Sequence, residues 1–280
     1  MTSSVRAALY GWVTVIALTL VTAAPAQAQY HPQAVPELAT GEQFHIEASA
    51  GWWHPSADMT ISSESLGIPG TTIDLKKDLG LEDKTLPELN LTLRPARNHK
   101  FRLQLVPIKF EQVTTLRRSV VFNGQRYDVN IPVTSSLDWN AFRFGYEYDI
   151  VTRDRGFAGF IIEAKYTDVR ADLSAPTPRG TLAEFAQARI PVPALGGIGR
   201  VYVVPNVAIT GELTLFTLPD SVDSRFGGHY VDLDIYGTVN FNRFIGAQAG
   251  FRSLDMQYLV KSDSGSFTLR GLYFGGVVRY

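Results

Sequence analysis

The sequence predicts an all-β fold: a transmembrane antiparallel up-and-down β-barrel of ten strands, with eight or twelve as neighbouring possibilities. Three observations predict it. Apolar and polar residues alternate with period two through most of the chain, the signature of strands with two unlike faces. Most of these segments reach or exceed the 9–11 residues that a tilted strand needs to cross a bilayer. Their connections alternate between long and short, which places long loops on one rim and tight turns on the other.

The chain opens with Arg6 as the only charge in its first thirty residues, then an apolar run from Trp12 to Val21 and the small-residue tract Ala26-Gln27-Ala28. That order predicts a secretory signal peptide over 1–28, cleaved after Ala28, because the run is too short for a spanning helix. Residues 29–42 hold Pro32 and Pro36 without a clear period and are expected to form a flexible N-terminal periplasmic arm. The barrel domain is then 43–280.

Strands are expected near 43–56, 86–94, 101–112, 137–148, 157–171, 195–203, 207–218, 230–239, 244–260 and 266–280. In the first, Phe44, Ile46, Ala48, Ala50 and Trp52 oppose His45, Glu47, Ser49 and Gly51. In the fourth, Phe142, Phe144, Tyr146 and Tyr148 oppose Arg143, Gly145 and Glu147. In the eighth, Val231, Leu233, Ile235 and Val239 oppose Asp232, Asp234, Tyr236 and Thr238. Short turns are expected at 95–100, 149–156, 204–206 and 240–243, and long loops at 57–85, 113–136, 172–194 and 219–229. Within the second long loop, Asn123-Gly124 between two short apolar runs predicts a tight hairpin. It is read as a two-stranded projection that continues the third and fourth strands beyond the membrane. Trp52, Trp139, Tyr148, Phe157, Phe241 and Tyr280 fall near strand ends and suit two aromatic girdles.

The last strand carries Leu272, Phe274, Val278 and Tyr280 at alternate positions, with Gly276 where a larger apolar residue is usual. With the signal peptide and the alternation, this resembles bacterial outer-membrane β-barrel proteins, the small class that includes OmpA-like, OmpW-like and omptin barrels. The resemblance implies that the barrel-assembly machinery reads these four residues, that Tyr280 faces lipid, and that the protein resides in the outer membrane.

With that phase carried strand by strand, the inner face holds Glu47, Glu88, Glu147, Glu163, Glu212, Asp232 and Asp234. It also holds Arg94, Arg102, Arg143, Lys165, Arg200, Arg252 and Arg279. A ten-stranded lumen is narrow enough for such side chains to fill, so the charges are expected to pair into a plug. The alternative is a narrow channel for small polar solutes or ions.

A catalytic constellation is not expected. His229, Asp232 and Asp234 near the outer rim resemble the acid–histidine equipment of omptins, but lack their short Asp–His motif and the second acidic pair. A rim hydrolase therefore stands third among the functions. His54, Ser56 and Asp58 share a spacing suggestive of lipid chemistry, but Pro55 interrupts them. With no cysteine and no HxxH or HxxxH spacing, no metal or other cofactor is expected. A formal charge of -1 argues against nucleic-acid binding. Arg117, Arg118 and Arg270 are candidates for pairing with lipopolysaccharide phosphates. The expected role is non-enzymatic, in envelope structure or surface interaction, with a monomer favoured.

Overall fold

The computed structural model describes residues 39–65, 67–178, 180–223, 226–261 and 263–280; the signal peptide and the arm as far as 38 lie outside them. Thirteen strands are described: β1 (Ile46–Ser62), β2 (Ile73–Asp74), β3 (Leu86–Ala96), β4 (His99–Thr115), β5 (Val120–Phe122), β6 (Gln125–Tyr127) and β7 (Pro132–Arg153). They continue with β8 (Gly156–Thr177), β9 (Gly180–Val204), β10 (Val207–Asp223), β11 (Phe226–Asn240), β12 (Ile245–Val260) and β13 (Asp263–Arg279). Ten of them form one antiparallel sheet that closes on itself where β13 pairs β1, from Glu47↔Arg279 to Ser62↔Ser264. Closure through β1 and β13 pairs the two terminal strands of the sheet with each other, as a membrane-level barrel requires.

The strands are longer than a membrane requires. At roughly 3.3 Å per residue, the 22 residues of β7 run about 70 Å along the strand, against a hydrocarbon core of about 30 Å. The excess lies on the long-loop side, and there the chemistry of the two faces inverts. In the lower half of β7, Phe142 and Phe144 point out while Arg143 and Glu147 are buried inside. In its upper half, with no change of phase, Val133, Leu137 and Trp139 are buried inside while Thr134, Asp138 and Asn140 line the outer face. β8 repeats the inversion: Glu163 and Lys165 give way inside to Val169, Leu173 and Ala175, and Ile162 gives way outside to Asp168 and Arg170. The barrel thus has a lower storey built for an apolar surrounding and an upper storey built for water.

This corrects the predicted loops. Within 172–194, β8 runs to Thr177 and β9 starts at Gly180, the two paired at Thr177↔Gly180. β4 and β7 likewise stay paired as far as Thr115↔Pro132. What remains of the first two loops folds into the upper mouth. Residues 63–85 send Ile73, Leu75, Leu79 and Leu81 inward, and β2 adds to β1 at Ile61↔Ile73. The β5–β6 hairpin forms at Asn123-Gly124, both with positive φ (47° and 76°), as a two-residue primed turn demands. It is a separate two-stranded sheet and does not extend β4 and β7; Val120, Phe122 and Tyr127 are buried in the same core. Thr71 N–H donates to the Val121 carbonyl (2.9 Å) and the Tyr127 hydroxyl to the Leu173 carbonyl (3.1 Å). A hairpin whose three large residues are apolar buries them; a projection would leave them in water.

Arg118 fastens the two loops together. Its guanidinium grips Asp78 by Nε (2.8 Å) and Nη2 (2.5 Å) and also donates to the Thr72 carbonyl (2.8 Å). Those hydrogen bonds hold the Asp78 carboxyl below its ordinary range. A depressed folded value means that the stabilisation is complete above the unfolded value, about 4, and is lost as pH falls through the folded one. Limited proteolysis within 63–85 is accordingly expected to accelerate below about pH 4, and in Arg118→Ala to be fast already at neutral pH.

Two residues assigned to the aromatic girdles face inward. Trp139 packs on Phe267 with ring centroids 5.4 Å apart, and Phe157 lies 3.4 Å beneath the Lys100 ammonium. Trp52, Phe241 and Tyr280 are exposed on the outer face or at the short-turn rim, and Tyr148 is half-buried beside Phe160.

Candidate functional site

The lower lumen is a web of ion pairs assembled from seven strands. Alternation turns every second residue inward, and neighbouring strands bring the charged ones among them to a common level. Asp232 on β11 stands at the centre. Arg252 Nε and Nη2 donate to its two oxygens (3.0 and 2.9 Å), Lys165 Nζ lies 3.3 Å away, and Arg143 makes a short contact. Arg143 also meets Glu212 (2.9 Å) and Glu163 (3.3 Å), so one guanidinium serves three carboxylates. Arg102 carries the web from Glu212 (2.6 Å) to Glu147 (3.6 Å), and Lys100 continues it to Glu147 (2.6 Å) and Asp149 (3.0 Å). On the other flank, Arg252 reaches Glu88 (3.3 Å) and the Gln104 amide oxygen (3.0 Å). Asp234 accepts from the Tyr273 hydroxyl at 3.0 Å. Burying a charge is costly unless it is paired and hydrogen-bonded, and such pairing is what the inward face supplies.

At the short-turn rim a second arrangement closes the barrel. Residues 39–44, the last four of the stretch read as an arm and the two that follow, sit in the mouth. Thr40 N–H donates to the Pro205 carbonyl (2.7 Å), and the Asn240 amide donates to the Thr40 carbonyl (2.7 Å). The Arg94 guanidinium donates to the Glu42 carbonyl (2.5 Å), while the Glu42 carboxylate lies near Arg200 (3.5 Å) and accepts from the Tyr202 hydroxyl (3.1 Å). Gly41 makes the tuck possible. Its φ is +85°, and a Cβ there would stand 2.7 Å from Arg279 Nη1 and 3.0 Å from Asn240. Arg279 itself bonds Glu47 and donates to Asn240 Oδ1 (2.6 Å).

All fourteen residues expected on the inner face lie in these two arrangements or, for Asp234, against Tyr273. Glu42, Lys100 and Asp149 also belong, and the sequence reading missed them. It had placed Lys100 and Asp149 in short turns and Glu42 in the arm. The parity of Arg102 and Glu147 would have recovered the first two, since each lies two residues along from one of them.

The other candidates are placed as follows. Leu272, Phe274, Val278 and Tyr280 are all exposed on the outer face of β13. Arg270 is exposed on the same face, two residues above Leu272. Arg117 is exposed, and Arg118 is committed to Asp78. His229 does not meet Asp232 and Asp234. It lies on the opposite, outward face of β11, 3.1 Å from the Thr217 hydroxyl. His54 stacks on Phe274 on the outer face, and the Ser56 hydroxyl donates to Asp83.

Neither a known family model nor any curated protein matches the chain. Solved structures do. The outer-membrane protease OmpT of Escherichia coli superposes with a TM-score of 0.52 at 9% identity, covering 88% of this chain and 100% of that one. The fold is that of an outer-membrane β-barrel. The toluene transporter TodX of Pseudomonas putida aligns with a TM-score of 0.38 at 8% identity over 90% of this chain and 95% of its own. Ail, the attachment invasion locus protein of Yersinia pestis, aligns at 0.34 and 7% identity over 82% and 97%. At 9% identity the likeness to OmpT is one of architecture alone.

Proposed function

We propose that this protein resides in the outer membrane as a sealed, non-enzymatic barrel that serves envelope structure and displays its tall upper storey at the cell surface. One observation carries the reading: the lumen is filled in series by unlike materials. Residues 39–44 occupy the short-turn, periplasmic mouth, ion pairs occupy the membrane level, and an apolar core with two infolded loops occupies the outer mouth. A solute path would have to displace all three. Proteoliposomes carrying the purified protein are expected to swell in small sugars and amino acids no faster than empty liposomes; faster swelling would overturn the reading.

The lowest seal is held by hydrogen bonds to the backbone of Thr40 and Glu42, and Glu42 is the one carboxylate of residues 39–44. Glu42→Ala is expected to release residues 39–44, read as protease cleavage near Gln43 from the periplasmic side, while the heat-dependent gel mobility of the folded barrel is kept. Outer-membrane lipids and lipopolysaccharide are the proposed surroundings. Arg270, just above the apolar belt, and Arg117 have guanidinium groups available to headgroup phosphates, whereas Arg118 is engaged by Asp78. Leu272, Phe274, Val278 and Tyr280 on the closing strand are the proposed contact for the assembly machinery.

A further inference from the structure

The wall of the upper storey has a seam. β9 and β10 pair from Val204↔Val207 to Leu195↔Leu215 and no further among the described residues, although β9 reaches back to Gly180 and β10 on to Asp223. β9 stays paired to β8 along that whole stretch, and β10 to β11 as far as Leu218↔Gly228 and again, after a register shift, at Asp223↔Phe226. Pro191 and Pro193 lie just where β9 loses its partner. Prolines two apart withdraw two ladder donors from the same edge of a strand, and the edge left without a neighbour faces β10.

The seam opens on a slot of about 100 Å³ lined by Pro191, Val192, Phe216, Leu218, Met256 and Tyr258. The buried Tyr230 and Met256 line its inner end. It adjoins a recess of about 490 Å³ that adds Thr217 and Ser264, while Leu218, Gly228, His229, Gln257 and Tyr258 line both. The exposed Leu213 and Leu215 of β10, at the top of the apolar belt, lie directly below. An apolar slot whose outward rim carries Thr217, His229 and Gln257, at the upper edge of a belt, matches a molecule that is itself half apolar and half polar. We propose that this seam binds a single-chain amphiphile, its hydrocarbon chain in the slot and its polar head against Thr217, His229 and Gln257. The slot's inner wall, Val192, Tyr230 and Met256, is the edge of the upper apolar core, while the seals at the membrane level and the short-turn rim lie apart from it.

The test uses the full-length protein refolded into vesicles that contain a lysophospholipid with a diazirine at the end of its chain. Photolysis is expected to place adducts on Phe216, Leu218, Met256 or Tyr258. Gly228→Leu puts a branched side chain into the slot from a position where a Cβ meets nothing closer than Phe216 Cε1 at 3.6 Å, and it is expected to cut those adducts at least fivefold. Unlabelled lysophospholipid should compete for the wild-type adducts and dodecane should not. Adducts confined to belt residues such as Leu213, adducts undiminished in a folded Gly228→Leu barrel, or equal competition by dodecane would each overturn the proposal.

Discussion

Arg143→Met is expected to destabilise the barrel by about 3–5 kcal/mol, the cost of removing one partner from a buried ionic cluster. Among the described residues, Arg143 is the only cation that reaches Glu163, Glu212 and Asp232 together. Its loss leaves Glu163 with Lys165 alone at 3.2 Å, and Glu212 with Arg102 alone at 2.6 Å. The replacement fills space but donates nothing, so the uncompensated carboxylates set the penalty. Arg143→Lys keeps the charge and loses the planar fork, and should cost less. The urea midpoint for unfolding from lipid vesicles measures both. The same variant should leave the barrel closed to ions, because the apolar core above and residues 39–44 below are untouched.

The second large effect belongs to the upper storey. Trp139 is wholly buried between the wall and the infolded loops, and truncation to alanine is expected to cost about 3–5 kcal/mol through lost burial and the cavity it leaves. The loss should be local as well as global. Because the β5–β6 hairpin shares this core, Trp139→Ala should expose the Asn123-Gly124 turn to protease while the lower strands keep their protection in hydrogen exchange. Trp139→Phe should behave differently. The indole N–H finds no acceptor among the described residues, so phenylalanine gives up volume but also removes an orphaned donor. Its cost should fall well below that of alanine.

These two effects reflect the inversion that the sequence concealed. Alternation was legible wherever the outer face is apolar: Phe142 and Phe144 identified their strand and its phase, and with it the inward aim of Arg143 and Glu147. Above that level the period persists in Val133, Ser135, Leu137 and Trp139, but their outward neighbours are Thr134, Ser136, Asp138 and Asn140. A reading that requires an apolar outer face ends the strand there and names the remainder a loop. The same expectation assigned Trp139 to a lipid-facing girdle, although its parity with Arg143 already pointed it inward. Lys100 and Asp149 escaped for the converse reason, since charge next to a turn reads as solvated surface until the register shows them inside. The Asn123-Gly124 hairpin was legible from local backbone chemistry, but its destination was not, because burial of Val120 and Phe122 depends on a barrel mouth formed by distant strands. The seam beside Pro191 and Pro193 was written in the sequence as missing donors, yet which edge they face is a property of the closed sheet.

Planar-bilayer recording of the refolded full-length protein tests the sealed lumen most directly. The wild type is expected to show no steps above the lipid baseline, whereas Glu42→Ala, Trp139→Ala and Arg143→Met combined in one folded barrel should produce discrete openings. Steady single-channel steps in the wild type would contradict the account.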